Sequence, residues 1–229
     1  MDDAFPERRN LYGRIRGKTL RASQKTYLAE DLGPLTLHGV TSGDNPAREP
    51  VDLRRFGGGP IWLEVGFGGG EHLVAMAASN PGVGLIGCEP FVNGIAMLLG
   101  KVRAAGVTNL AIHPGDVRDL LEVLPDALVR RVFLNYPDPW PKNRHHRRRF
   151  VTPGYLDALA RVTAPGAEFR VATDIPDYVR QTLVEVPKAG FELVAEGAEP
   201  WGDWLSTRYE QKALREGRLP HYLTFRRAG

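Results

Sequence analysis

The chain has 229 residues, 42% hydrophobic and 25% charged, enough for one sizeable α/β domain with a small extension. The net charge is only +3, but the pI is about 9.1 and the positive charge is clustered, which steers a polyanion more than the total does. A single cysteine (Cys88), a charged N-terminus, no apolar run near the ~20 residues of a membrane helix and no metal-ligand spacing argue against a disulfide, a signal peptide, a membrane span and a metal site. The expectation is a cytoplasmic protein, monomer or homodimer, with no membrane and no metal.

Residues 1–29 read as a basic, flexible arm and 30–229 as the folded domain. Up to Lys25 there are seven cations against three acids, and Gly13 and Gly17 interrupt any helix. Tyr12 and Tyr27 are interleaved with the charges. This suits an arm that orders on nucleic acid, and equally a solvated tail. Gly57-Gly58-Gly59-Pro60 then breaks the chain before the core.

From Ile61 strands and helices alternate. Strands are predicted at 61–65, 83–88, 110–112, 129–134, 168–172, 191–195 and 221–225. Helices are predicted at 71–78, 91–105, 117–124, 155–162, 175–186 and from Thr207 to Arg215. Near-continuous apolar strands with intervening helices predict an α/β fold with a mostly parallel, seven-stranded sheet covered on both faces. Ligands bind such sheets at the carboxyl ends of the strands. Five successive strand ends carry acids there: Glu64, Glu89, Asp116, Asp138 and Asp174.

The turn Gly66-Phe67-Gly68-Gly69-Gly70 resembles a dinucleotide fingerprint, but Glu71 stands where its third glycine belongs. An acid at that helix start repels a pyrophosphate. A cationic ligand without phosphate fits better. Gly66 and Gly68 admit close backbone approach, Glu64 meets a positive group, Glu89 suits a ribose diol, and Asp116 suits an adenine amino group. S-adenosyl-L-methionine answers this description; glycines that merely pack helix on strand are the plainer alternative.

The stretch Asn135 to Arg149 (N-Y-P-D-P-W-P-K-N-R-H-H-R-R-R) brackets Asp138 between Pro137 and Pro139, which restrict its backbone. Trp140 offers an aromatic surface, for stacking on a displaced base or for packing. Lys142, Arg144, Arg147, Arg148 and Arg149 put five cations in eight residues, suited to phosphates. A constrained carboxylate beside them points to chemistry on a nucleic-acid base.

Four segments together resemble the bacterial tRNA (guanine-N7)-methyltransferases, the TrmB type. They are E-V-G-F-G-G-G, Y-P-D-P-W-P-K-x-R-H-x-x-R-R, Ala172-Thr173-Asp174 and Thr207-Arg208-Tyr209-Glu210, and the likeness runs from about Leu11 to Phe225. The resemblance implies a class I S-adenosylmethionine-dependent methyltransferase (Rossmann-like) fold. It implies that Glu64, Glu89 and Asp116 hold the cofactor and that Asp138 lies at the active site, touching cofactor and guanine. Lys142, Asp174, Thr207, Arg208, Tyr209 and Glu210 would contact the substrate, the variable-loop guanine at tRNA position 46. Gly69 departs from the pattern, standing where relatives often carry a larger residue. Rival readings are a methyltransferase acting on an exocyclic amine and a non-catalytic RNA-binding protein of the same fold.

Overall fold

The structure, a computed structural model, describes residues 13–229. The elements in chain order are α1 (Ala22–Glu30), α2 (Leu32–Leu35), β1 (Ile61–Val65), α3 (Glu71–Ser79), β2 (Gly84–Cys88), α4 (Val92–Ala105), β3 (Leu110–His113) and α5 (Val117–Val123). They continue with β4 (Val129–Asn135), α6 (Pro153–Val162), β5 (Thr163–Thr173), α7 (Pro176–Lys188), β6 (Phe191–Gly197), α8 (Arg208–Arg215) and β7 (His221–Arg227). The strands form one sheet in the order β3-β2-β1-β4-β5-β7-β6, with β7 antiparallel to both neighbours and β1 to β5 mutually parallel.

Strand alternation sorts the core into two layers. Leu63, Val65, Val132, Leu134, Phe169 and Val171 face α5, α6 and α7, where Leu120, Leu156, Leu159 and Tyr178 meet them. Phe133, Leu85 and Ile112 point the other way, against Leu73 of α3 and Ile95, Leu98 and Leu99 of α4. Truncating any one of these buried leucines would cost about 2–5 kcal/mol. No helix among the described residues is long and apolar enough to cross a membrane.

Two sequence expectations change. β5 begins at Thr163 rather than 168, because Pro165 and Gly166 (φ 77°) sit in an irregular stretch of the strand. α1 spans Ala22–Glu30, so the boundary expected at residue 29 falls in its last turn. Its Tyr27 packs on Gly100 of α4, where an added Cβ would come within 2.9 Å of the ring. Ahead of it, Ile15 carbonyl accepts from Val92 N at 2.9 Å, Gly17 N donates to Asn93 Oδ1 at 2.7 Å and Asn93 Nδ2 donates to the Lys18 carbonyl at 2.7 Å. Residues 1–12 of the expected arm lie outside the described residues.

Candidate active site at the strand ends

Strand order reverses between β1 and β4. Such a reversal opens a crevice beyond the carboxyl ends of the strands. A cavity of about 540 Å³ fills it here, a size that suits a small-molecule ligand.

The wall above β1 is the glycine turn. Gly66, Gly68 and Gly70 have φ of 73°, 55° and 75°, the left-handed region that glycine enters without strain. The N-terminus of α4 presses on the turn so closely that a Cβ on Gly94 would lie 2.3 Å from the Gly68 carbonyl oxygen. Glu89, just past β2, locks it from the other side. Its Oε2 accepts from Gly68 N at 2.8 Å and its Oε1 from Phe91 N at 2.9 Å. Burial raises the Glu89 pKa, and these two N–H groups and the nearby Arg208 charge oppose the rise. Each oxygen retains lone-pair capacity for one more donor, as a vicinal diol would require.

Asp116 caps α5. Its Oδ1 accepts from Arg118 N at 2.9 Å, and the Arg118 Nε donates to the same carboxylate at 3.0 Å. Asp138 lies three residues beyond β4 at the open side of the cavity, next to Gly13, whose added Cβ would sit 3.4 Å from Asp138 Oδ2. Desolvation pushes the Asp138 carboxyl above the ordinary aspartate range. The backbone around it is strained: Tyr136 (φ 49°) and Trp140 (φ 40°) occupy the left-handed region, costly for bulky side chains and typical of functional sites. Trp140 both lines the cavity and packs, with the Arg148 guanidinium 5.0 Å from its ring centroid and His145 edge-on at 6.0 Å.

A family model described as "Putative methyltransferase" matches residues 58–222. The chain is 74% identical over 225 residues to a protein of Cereibacter sphaeroides (98% of this chain, 93% of that one) and 70% identical over 227 residues to one of Paracoccus denitrificans (98% and 97%). It is 46% identical over 232 residues to one of Rhodospirillum rubrum (99% and 91%), and all three are named tRNA (guanine-N(7)-)-methyltransferase. The chain belongs to the tRNA (guanine-N7-)-methyltransferase family. Its fold matches solved class I methyltransferases: the 16S rRNA methyltransferase KamB at a TM-score of 0.56 and 20% identity, covering 74% of this chain and 88% of that one. The 16S rRNA (adenine(1408)-N(1))-methyltransferase of Catenulisporales acidiphilia, solved with S-adenosylmethionine, gives 0.56 at 18% identity, covering 80% and 96%.

In this family member the late segment reaches the same turn. Thr207 caps α8, its Oγ1 accepting from Glu210 N at 3.2 Å. Tyr209 lies over Gly68, whose added Cβ would meet its ring at 2.9 Å. Arg208 donates to Met97 Sδ and to the Tyr209 hydroxyl, each at 3.2 Å. The capping box is only half built, because the Glu210 carboxylate turns inward to accept from Trp204 Nε1 at 2.9 Å and from the Tyr222 hydroxyl. That cluster stands behind Tyr136, whose hydroxyl pKa is raised by burial and then by Tyr222, Glu210 and Asp174. At Gly69 an added Cβ would meet only the flexible ends of Glu71 and Arg208, so nothing in the local structure explains the glycine.

Of the residues singled out from sequence, Gly66, Gly68, Glu89, Asp116, Asp138, Trp140, Arg148, Arg149 and Tyr209 line the cavity. Lys142, Asp174, Thr207, Arg208 and Glu210 stand outside its wall; Lys142 is exposed and Asp174 is paired with Arg218. Glu64 does not face the cavity as expected. It is the fourth of five residues in β1 and alternates away from Leu63 and Val65, so it lies under α3 at 2% exposure. There its Oε2 is 2.8 Å from His72 Nδ1 and its Oε1 accepts from Asn135 Nδ2 at 3.4 Å. Arg149 borders the cavity, but at 1% exposure its guanidinium is spent on protein partners, so it leaves the phosphate-binding set. The sequence reading missed Gly13, Arg14, Phe91, Phe150 and Tyr155 as cavity lining. The position of Phe91 two residues after Glu89 at a strand end was the available signal.

Proposed function

We propose that this protein transfers a methyl group from S-adenosyl-L-methionine to N7 of the variable-loop guanine at position 46 of tRNA, in the cytoplasm. The observation that carries the reading is the cavity at the strand reversal, walled by left-handed glycines and Glu89 and opening beside Asp138. Its chemistry fits the cofactor. A Cβ at Gly66 would meet nothing within 4 Å, so ligand atoms can approach that backbone closely, and Glu89 stands ready for a ribose diol. Glu71, paired with Lys101 at 3.2 Å, sits in the first turn of α3 and disfavours a pyrophosphate there.

The cofactor would supply an electrophilic methyl group on a sulfonium. Guanine N7 carries a lone pair and no proton, so the protein needs no general base. Its work is alignment, which can account for about 7–11 kcal/mol of a barrier, and stabilisation of the positive charge that develops on the base. Asp138 would provide the latter and could accept from the guanine N1–H and 2-amino group. Glu210 and Asp174, held by Tyr222 with Trp204 and by Arg218, support the mouth rather than meet the base directly. Thr207, Arg208 and Tyr209 would brace the glycine turn on the substrate side.

The tRNA would lie across two basic segments at one mouth. Lys142, Arg144 and Arg147 are exposed on the 3-10 turn Asn143–Arg148 and its cap, and Arg14, Arg16 and Lys18 of the leader are exposed too. A shallow groove between Gly13-Arg14 and Asp138-Pro141 connects them. Arg14, Arg16 and Lys18 would thus carry the contribution of the leader to tRNA binding. The test is methylation of unmodified tRNA transcripts that differ only at position 46. Replacing that guanine by adenine should remove the label; unchanged labelling overturns the target.

A further inference from the structure

We propose that Arg149 is a positioning residue, which sets Asp138 by holding the carbonyl of Pro139 from behind. The inference rests on the role just given to Asp138. The Arg149 side chain is fully buried, and its guanidinium reaches three acceptors at once. Nε donates to the Pro139 carbonyl at 2.9 Å, Nη1 to Gln181 Oε1 at 2.9 Å and Nη2 to Asp177 Oδ2 at 2.8 Å. It also lies 5.2 Å from the centroid of the Tyr178 ring. Asp177 and Gln181 share one face of α7, four residues apart, so the guanidinium is fixed to a rigid element and not to another loop.

The active-site segment needs such an anchor. Pro137, Pro139 and Pro141 carry no N–H, which leaves residues 137–141 only the amides of Asp138 and Trp140 as backbone donors. A segment so poor in donors cannot join a ladder, and it is tied through a carbonyl instead. That carbonyl belongs to the residue directly after Asp138. The planar fork of arginine matches the arrangement, and lysine cannot satisfy three separated acceptors in that geometry. The cation thus belongs to the active-site scaffold, although Lys142, Arg144 and Arg147 of the same run are exposed. Arg180 and His146 also approach Asp177, but both pairs are partly open to solvent.

The experiment is single-turnover methyl transfer to saturating tRNA by the full chain, comparing Arg149→Lys, Asp177→Asn, Gln181→Ala, Asp138→Asn and the double variant Asp138→Asn/Arg149→Lys. Arg149→Lys should slow transfer about 30-fold or more, within the ~100-fold that a 1 Å misplacement can cause. Its dissociation constants for S-adenosylmethionine and tRNA should stay within about threefold of the parent, as expected when the binding surfaces are intact. Asp177→Asn and Gln181→Ala should slow transfer in the same direction by about 3–10-fold, although neither residue lines the cavity. The double variant should be no slower than Asp138→Asn alone, because both changes remove one function. Wild-type turnover by Arg149→Lys, or losses that multiply in the double variant, overturns the proposal. If Arg149→Lys fails to fold, Asp177→Asn decides, and an unchanged rate there overturns it. Wild-type turnover by Asp138→Asn instead overturns the role of Asp138 itself.

Discussion

Gly94→Ala probes how tightly α4 and the glycine turn are coupled. Gly94 is the third residue of α4, and a Cβ there would lie 2.3 Å from the Gly68 carbonyl oxygen and 3.1 Å from its carbon. Ordinary carbon contacts need about 3.5 Å, so the turn and the helix must part by about 1 Å. Two terms then compete. Alanine gains up to about 1 kcal/mol in helix propensity, while overpacking of this kind costs about 1–3 kcal/mol. The net loss, about 0–2 kcal/mol, shifts Tm down by at most about 8 °C at roughly 2–4 °C per kcal/mol. The effect on the site is larger. Gly68 N is the donor that Glu89 holds at 2.8 Å, so moving Gly68 disturbs the turn and the carboxylate together. Calorimetry should show S-adenosylmethionine binding weakened about tenfold, and kcat/KM should fall toward the ~100-fold loss that a 1 Å misplacement brings. A variant with a raised Tm and unchanged cofactor affinity would refute the close packing argued here.

Three further outcomes follow from the same geometry. The raised Asp138 pKa puts the acid limb of the rate–pH profile above the ~3.9 of an unperturbed aspartate, and Asp138→Asn should remove that limb. The linked stability has a definite sign: with the folded pKa above the unfolded one, the favourable contribution exists at acid pH and is lost as pH rises through the folded value. Asp138→Asn should accordingly raise Tm relative to the parent at pH 7 and leave it little changed below about pH 3.9; a lower Tm at pH 7 contradicts the desolvation argument. Glu210→Leu leaves two donors, Trp204 Nε1 and the Tyr222 hydroxyl, without their acceptor, which should cost about 1–3 kcal/mol and be visible in thermal melts; an unchanged Tm means the cluster is not needed. In tRNA binding, Lys142→Ala and Arg147→Ala should each reduce the log K against log salt slope by about 0.7–0.9, while Arg149→Lys leaves the slope unchanged; an equal reduction for Arg149→Lys places it on phosphate after all.

The sheet was legible because its strands are continuous apolar runs and its helices begin after turn residues. Three of the five acids, Glu89, Asp116 and Asp138, line the cavity at the strand ends, while Glu64 and Asp174 do not. Which way each acid points was not legible. Glu64 reads as a strand-end acid, yet one position of alternation turns it under α3 to His72. Thr207 and Glu210 show the spacing of a capping box, and Thr207 behaves so, but the Glu210 carboxylate answers to Trp204 and Tyr222, partners that only the fold brings near. Charge density in the run from Lys142 to Arg149 could not show that its last cation is buried against α7. The leader reads as polar and glycine-broken because residues 15–18 are seated by backbone groups and Asn93, which leave no periodic signal. Its proximity to Asp138 is a product of tertiary structure alone.

The most direct measurement is methyl transfer from labelled S-adenosylmethionine to unmodified tRNA, followed by nucleoside analysis of the product. The account predicts label in 7-methylguanosine, which is cationic and alkali-labile. Label in N6-methyladenosine or another exocyclic-amine product, or binding of tRNA without any transfer, would contradict it.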